Sequence, residues 1–200
     1  ITFTSQGINK AVIAVSGGID SALSLALATK ALGKENIYTL ELPYKRQSTG
    51  LSNLIINHLD IPQNQRKIIK LSRAVDKLAI QLNAKKQPLR FGNIIARSRM
   101  ICLFDQAKAL GALVVGTENK SEQLLGYYTR FGDQASDLEP ISHIYKTQVI
   151  KLAELLKLPS AILKASPSAG LWQGQTDEQE LGFSYQQADP ILNLLVDQKF

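Results

Sequence analysis

Short apolar runs alternate with longer helical patterns along most of the chain. Four runs have the length and apolar content of buried strands: residues 11–16, 37–42, 66–71 and 112–116. Between and after them, amphipathic patterns predict five main helices: residues 20–32, 51–59, 72–83, 93–110 and 145–158. Near-continuous apolar strands separated by helices are typical of a parallel sheet covered on both faces. We therefore predict a Rossmann-like α/β fold.

Polar residues mark two helix starts and two long loops. Ser72 is predicted to cap the helix that follows it, and Thr176 with Gln179 has the spacing of a capping box. The polar segments 44–50 and 164–175 are long enough to be functional lids rather than tight connections.

Length and cysteine content exclude several classes of protein. The chain has 200 residues, 44% of them hydrophobic, so we expect residues 1–200 to form a single domain. No apolar run approaches the ~20 residues of a membrane span, and we expect no membrane partner. A single cysteine, Cys102, and two histidines exclude a Cys/His zinc site and a CxxC redox pair. A lone core thiol fits a reducing compartment, so we expect a cytoplasmic protein.

The charge favours anionic partners but does not choose among them. The formal net charge is +6, which suits nucleotides, nucleic acids or acidic metabolites. No run of Lys and Arg is longer than two residues, and no RNA-binding or zinc-finger pattern is present. We therefore do not expect nucleic acid as a partner.

The string SGGIDS, residues 16–21, lies between the first predicted strand and the first helix. In an open parallel sheet, ligands bind beyond the carboxyl ends of the strands, and a helix N-terminus presents free N–H groups. Gly17 and Gly18 let the backbone approach phosphate oxygens, whereas Asp20 fits an anion site only if a divalent cation bridges it. We predict a phosphate site. The plainer alternative is a strand–turn–helix in which Asp20 is a favourable N-terminal charge.

The string SGGIDS also resembles the phosphate loop of the N-type ATP pyrophosphatases, which cleave ATP to AMP and pyrophosphate while adenylating a substrate. Three further strings resemble ammonia-dependent NAD synthetases: GTENKSEQLLGYYTRFGDQASDLEPI (116–141), KTQVIKLAELL (146–156) and PSAGLWQGQTDEQELGFSY (167–185). The resemblance runs from residue 11 to about 192. It implies an adenine nucleotide alpha hydrolase-like fold, a C–N bond-forming ligase, magnesium as cofactor and ATP as co-substrate. The implied partners are deamido-NAD, ammonia and a second copy of the chain in a homodimer.

The same resemblance assigns residues to each ligand. The ATP-binding residues it implies are Ala14, Val15, Ser16, Gly17, Gly18, Ile19, Asp20, Ser21, Thr117, Lys146 and Ser168. The residues implied for deamido-NAD are Arg97, Arg130 and Asp137, and those for magnesium are Asp20 and Glu122.

Some of these positions also stand out without the resemblance. Thr117 follows a strand end, and Glu122 comes one short turn later, on the rim that carries Asp20. Arg97 and Arg99 face different ways on a helix, so only one is expected to reach a ligand easily. Lys146 opens a helix, where a cation opposes the dipole, and this placement indicates function.

Asp20 and Lys146 are the expected catalytic residues, because the reaction needs phosphate charge to be neutralised. Ammonia must be neutral when it attacks, so a nearby carboxylate is expected to take a proton from ammonium. Asp133 is our hypothesis for that base, with Asp137 as the other candidate. Residues 166–178 resemble the loop that closes over the active site in the family, and within this closing segment Trp172 is either a lid residue or a buried anchor.

Two other functions stay open. One is a different adenylating enzyme of the same superfamily, tRNA-modifying or similar to GMP synthetase. The other is the synthetase part of a glutamine-dependent NAD synthetase. We expect no glutaminase domain, and compared with the family we expect the C-terminal tail to be truncated.

Overall fold

The computed structural model describes residues 2–45, 47–168, 170 and 174–199. Its four strands are all parallel and lie in the order β3-β2-β1-β4: β1 (Ala11–Ala14), β2 (Ile37–Glu41), β3 (Arg66–Ile68) and β4 (Leu113–Val115). Each is shorter than the predicted run, because the last residues leave the ladder at the carboxyl edge. There Val15 still donates its N–H to Leu40 at 2.9 Å.

The helices connect and cover the strands. They are α1 (Thr2–Gln6), α2 (Ile19–Leu32), α3 (Gly50–His58), α4 (Ser72–Gln81), α5 (Pro88–Leu110), α6 (Lys120–Leu125), α7 (Lys146–Leu155), α8 (Ser160–Leu163), α9 (Asp177–Leu181) and α10 (Tyr185–Leu192). None of the helices in the described part of the chain is long and apolar enough to cross a membrane.

The sheet separates two apolar cores. Alternate β1 residues point to opposite faces: Ile13 packs with α2, α3, α7 and α8, whereas Val12 packs with α4 and α5. Both residues are fully buried. The predicted α/β architecture, a parallel sheet with helices on both faces, is confirmed.

Three details of the predicted helices are wrong. Helix α5 begins at Pro88 rather than near 93, because proline is well tolerated in the first turn. Ser72 lies inside α4 and does not cap it; its hydroxyl accepts the Lys45 N–H at 2.8 Å. Thr176 precedes α9 as predicted, but its side chain makes no capping bond, so the capping box with Gln179 is absent.

The free edge of β4 is covered by the segment around Asp137. Leu138 forms a parallel bridge with Val115, and Gly116 donates its N–H to the Leu138 carbonyl at 2.8 Å. The Asp137 carboxylate accepts the Val114 N–H at 2.7 Å. This segment therefore satisfies edge groups that a strand at the margin of a sheet would otherwise expose.

Candidate active site

Residues 16–21, the predicted phosphate loop, leave the carboxyl end of β1 and lead into α2. Ser16 Oγ accepts the Gly18 N–H at 3.2 Å and lies 3.1 Å from Ser21 Oγ. Gly17 has a φ of +89°, and a Cβ there would come within 2.7 Å of the Leu51 Cβ. Glycine is thus required at this position by conformation and by space. The first-turn N–H groups of α2 have no acceptor inside the helix, so they are available to an anion.

Lys146 joins this loop to the end of the neighbouring strand. Its ammonium group contacts the Asp20 carboxylate of the phosphate loop and lies 3.2 Å from Glu122 Oε1 on α6. The Lys146 side chain is only 1% exposed, and Asp20 and Glu122 are 18% and 13% exposed. Residues far apart in sequence therefore form one buried ionic cluster, because β1 and β4 are neighbours and end at the same edge.

The cluster shifts the pKa values of its members. Burial lowers the pKa of Lys146, but the charges of Asp20 and then Glu122 outweigh this effect, so the net pKa lies above its ordinary value. Burial, followed by the charge of Asp20, raises the pKa of Glu122. The cluster thus holds a fixed positive charge beside two carboxylates that repel each other.

Asn119 fixes both carboxylates and was missed in the sequence. Its Nδ2 donates to Asp20 Oδ1 at 2.9 Å, and its Oδ1 accepts the Glu122 N–H at 3.1 Å. The Glu122 side chain accepts the Asn119 N–H in return, which completes a capping box on α6. The spacing N-x-x-E before a short helix was the available signal.

Buried residues of α9 and α10 pack beside Lys146 and the start of α7. Asp189 accepts bonds from Ser121 Oγ at 2.6 Å and from the Thr147 N–H at 2.8 Å, which ties α6 to the start of α7. Lys146 Nζ lies 5.3 Å from the centre of the Tyr185 ring. Asp177, 3% exposed, accepts from Tyr185 Oη at 3.2 Å. No sequence motif indicated these partners, since their burial depends on tertiary packing.

The turn after β4 carries Thr117 between two buried neighbours. Thr117 is half-buried on the same edge as the phosphate loop. Glu118 is 4% exposed, and neither of its carboxyl oxygens has a hydrogen-bond partner among the described residues. Burial, with added repulsion from Asp133 and Glu139, raises the pKa of Glu118 to about 9. Sequence reasoning missed Glu118, because an acid in a polar loop gives no sign that it is buried.

The residues assigned to deamido-NAD lie on a more exposed surface. Arg97 and Arg130 are exposed, and Arg97 Nε donates to the Arg130 carbonyl at 3.2 Å. Asp137 binds β4, as described above, and no ion pair between it and either arginine is found in the described part of the chain. Asp133 is exposed as well, and its carboxylate accepts the Thr129 N–H at 3.0 Å. The structure thus brings Arg97 next to Arg130 but leaves Asp137 on the sheet edge.

Gln47 connects the two predicted loops. Its Oε1 accepts bonds from the Tyr44 N–H at 2.8 Å and from Arg99 at 3.0 Å, and its Nε2 donates to the Gly170 carbonyl at 2.5 Å. Arg99 also donates to the Leu42 carbonyl, so it has structural partners.

Two assigned residues belong to the closing segment. Ser168 is exposed, and its hydroxyl accepts the Gly170 N–H at 3.1 Å. Trp172 lies outside the described residues.

The carboxylates of the cluster fit a magnesium ion. Asp20 and Glu122 both contact one ammonium group, so their oxygens lie close together, and a single positive charge faces two acids. Among the residues that the structure describes, no group of three His, Cys, Asp or Glu side chains forms a metal site. Magnesium usually takes only one or two carboxylates together with substrate phosphates and water, so the number of acids in the cluster matches what it needs from a protein.

A parallel sheet with a glycine-rich phosphate loop at the end of β1, and a lysine and two acids beside it, defines a nucleotide-binding α/β protein. A family model described as NAD synthase matches residues 2–200. The chain belongs to the NAD synthase family, whose members are ATP-dependent ligases that form a carbon–nitrogen bond.

Individual relatives agree with this membership. An NH(3)-dependent NAD(+) synthetase from Pyrococcus furiosus is 46% identical over 195 residues, which cover 97% of this chain and 74% of the relative. The solved NH3-dependent NAD synthetase from Campylobacter jejuni has a TM-score of 0.81 and 31% identity, covering 99% of this chain and 79% of that one. The structure of an NMN synthetase from Francisella tularensis has a TM-score of 0.86 and 36% identity, with 95% and 79% covered.

Proposed function

We propose that the protein converts deamido-NAD to NAD with ammonia and ATP, releasing AMP and pyrophosphate. One observation carries the proposal: Lys146 meets Asp20 of the phosphate loop and Glu122 of α6 at the edge where β1 and β4 end. This cluster suits a reaction in which pyrophosphate leaves ATP. The similarity to NH(3)-dependent NAD(+) synthetases supports ammonia as the nitrogen source.

The first step activates a carboxylate. The pyridine carboxylate of deamido-NAD attacks the α-phosphorus of ATP, the bond to the β-phosphate oxygen breaks, and an acyl-adenylate forms. The phosphate-loop N–H groups and Lys146 stabilise the charge on the leaving pyrophosphate, and no protein nucleophile is needed. The residues proposed to contact ATP besides the loop are Thr117 and Ser168, which lie after β4 and in the closing segment.

The second step forms the amide. Neutral ammonia attacks the activated carbonyl carbon, AMP leaves, and the nitrogen loses a proton. We keep Asp133 as the proposed acceptor of the proton from ammonium, with Asp137 as the other candidate. If Asp133→Asn kept full activity at every pH, Asp133 would be excluded and Asp137 would be tested next.

Asp20 and Glu122 are the proposed magnesium ligands. Bound there, the ion would neutralise phosphate charge during pyrophosphate departure. Asp20 also keeps Lys146 oriented, since the two side chains are in contact. Both carboxylates are held by Asn119, so the site is shaped before any ligand arrives.

Arg97, Arg130 and Asp137 are proposed to bind deamido-NAD. Both arginines are exposed and the Arg97 side chain contacts the Arg130 backbone, so two cations on one surface suit the dinucleotide phosphates. Because Asp137 already accepts a β4 N–H through Oδ2, only its second oxygen is available to a substrate without loss of that bond.

The remaining proposals concern assembly. We propose that residues 1–200 act as one synthetase domain that uses free ammonia, and that two copies form a homodimer. Exposed apolar side chains on and near α5 support a partner surface: Leu89 is 68% exposed, Ile101 63% and Phe131 61%. Analytical ultracentrifugation tests the dimer; a monomer at micromolar concentration would contradict it. The cytoplasmic location stays a prediction.

The deciding experiment measures products from deamido-NAD, MgATP and ammonium. We expect NAD, AMP and pyrophosphate in equal amounts, no NAD with glutamine instead of ammonium, and loss of activity in Asp20→Ala. A parallel arm replaces deamido-NAD with nicotinate mononucleotide, because one structural relative is an NMN synthetase. Faster turnover of the mononucleotide would reassign the substrate. ATP cleavage to AMP with only a third acceptor would favour another adenylating enzyme.

A further inference from the structure

Glu139 lies over the turn that follows β4 and belongs to no part of the reaction assigned so far. Its carboxylate occupies the space that a Cβ on Gly116 would need. Gly116 is buried and its φ is not in the left-handed region, so glycine at this position is required by the close approach of Glu139 rather than by backbone conformation.

The Glu139 carboxylate holds two segments together. Oε2 accepts the Glu118 N–H at 3.0 Å, and Oε1 accepts the Ser136 hydroxyl at 2.8 Å. One residue earlier, the Leu138 carbonyl accepts the Gly116 N–H at 2.8 Å. The segment that covers the edge of β4 therefore continues along the turn and binds it on both sides of residue 117.

Thr117 is the residue that these two bonds enclose. The backbone of its neighbours Gly116 and Glu118 is held, and the next residue, Asn119, donates to Asp20 of the phosphate loop. The Glu139 carboxylate is engaged with the turn and with Ser136. Its effect on a nucleotide would therefore pass through the placement of Thr117.

We propose that Glu139 is a positioning residue for the ATP site: its carboxylate holds the turn 116–118 so that Thr117 faces the nucleotide. The proposal rests on the proposed function in one respect, the contact between Thr117 and ATP. The edge of β4 is already covered by Asp137 and Leu138. The close contact between Glu139 and Gly116 is therefore not needed to cover β4, and the proposed role explains why it is present.

The ionisation of Glu139 gives the proposal a pH signature. Burial raises the pKa of Glu139 to about 7, the Ser136 and Glu118 hydrogen bonds oppose this, and the charge of Asp133 adds to it. The charge of Asp133 acts on Glu139, and the buried carboxyl of Glu118, whose own pKa is raised by the charge of Glu139, is the other titratable group beside it. Only the ionised form leaves both oxygens free to accept, so the hold on the turn weakens as the pH falls through about 7.

The test compares Glu139→Ala, Glu139→Gln and Gly116→Ala with the wild type and with Glu154→Ala, an exposed glutamate on α7 that serves as control. Glu139→Ala is expected to raise KM for ATP about tenfold with a smaller effect on kcat, as the loss of the hydrogen bond to the Glu118 N–H would. Glu139→Gln keeps an acceptor for the Glu118 N–H, so its KM for ATP should lie within about threefold of the wild-type value. Because glutamine does not titrate, the rise in KM expected for the wild type below pH 7 should be absent from this variant.

Gly116→Ala makes the test specific to this contact. A Cβ cannot coexist with the Glu139 carboxylate, so this variant should raise KM for ATP as Glu139→Ala does. The double variant should be no worse than either single one, because both remove the same interaction. Additive effects on KM, or a lower Tm with unchanged KM and pH dependence in all variants, would overturn the proposal.

A readout without the acceptor keeps this proposal separate from the proposed function. MgATP should raise the Tm of the wild type, and Glu139→Ala should need about tenfold more MgATP for the same rise. If the wild type binds MgATP but makes no NAD, the proposed function fails while the Glu139 test still gives an answer. Equal MgATP titrations for the wild type and Glu139→Ala would overturn the positioning role alone.

Discussion

The two sides of the candidate active site are built differently. On the phosphate side, Lys146 is buried, Asp20 and Glu122 are partly buried, and the three side chains contact one another without any ligand. On the dinucleotide side, Arg97 and Arg130 are exposed and meet only through a backbone carbonyl. The first group lies at the sheet edge and at helix starts, whereas in the second group Arg97 is on α5 and Arg130 is in the loop after α6. We infer that the phosphate side is organised in advance, whereas the exposed arginines of the dinucleotide side are held by fewer contacts.

The largest effect is expected from Lys146→Met, which breaks the buried cluster. Removing one partner of a buried ion pair costs about 3 to 5 kcal/mol, because the remaining charges are left uncompensated. We expect a fall in Tm together with a loss of activity of at least about 10²-fold. Thermal denaturation and the NAD assay measure both. Lys151→Met, an exposed lysine on the same helix, is the control; equal behaviour of the two variants would contradict a preformed phosphate side.

A second prediction concerns the buried carboxyl of Glu118 and stability. Its pKa is raised to about 9 in the folded protein, above the ordinary value of 4.5, so folding favours the protonated form. The contribution of Glu118 to the free energy of unfolding is fully present below pH 4.5 and is lost as the pH rises towards 9. Glu118→Gln should therefore gain Tm relative to the wild type between pH 5 and pH 9, by several degrees if the difference is about 1 to 2 kcal/mol. A Tm difference that does not change with pH would show that the pKa of the Glu118 carboxyl is not raised in the folded protein.

Asn119 has two roles, capping α6 and donating to Asp20, and two variants distinguish them. Asn119→Ser keeps a good N-cap for α6 but is too short to reach Asp20, whereas Asn119→Ala loses both roles. We expect both variants to lower kcat about tenfold, and only the alanine variant to lose about 1 kcal/mol of stability. Urea denaturation and steady-state kinetics distinguish them. Full activity of Asn119→Ser would show that the Asp20 contact is dispensable.

The smallest stability effect is expected on the dinucleotide side. Arg130→Ala should leave Tm within about 1 °C of the wild type, because an exposed cation contributes little to folding. KM for deamido-NAD should rise about fivefold to tenfold, and this difference should shrink at high salt. The Lys146→Met defect should persist at high salt because that cluster is buried. A similar salt dependence of both defects would remove the contrast between the two sides.

The sequence predicted the fold better than its helix ends. Strand and helix order follow from apolar periodicity, and α2 begins within one residue of the prediction. The early start of α5 was missed because Pro88 and Gly92 resemble helix breakers, yet proline is favourable in the first turn and Gly92 is buried. Ser72 was taken for a cap because its residue type suits that position, but its hydroxyl bonds a loop instead. Such local choices depend on what the fold packs nearby.

The candidate site shows the same division. Because the carboxyl ends of parallel strands meet at one edge of the sheet, the sequence predicted that Asp20 and Glu122 lie near each other. It did not predict that Lys146 contacts both, since that requires the position of α7. Asn119 was recognisable from its spacing to Glu122. Glu118 was not, because nothing in a sequence states how deep a polar loop residue lies.

The buried position of Lys146 also has a consequence for chemical labelling. Acylating reagents need an accessible, unprotonated amine, and this side chain is 1% exposed with its pKa raised by its acidic neighbours. Surface lysines such as Lys151 should be modified quickly, while Lys146 should react only when the cluster opens. The modified fraction at this one amine, read by mass spectrometry, therefore reports how often the active site opens.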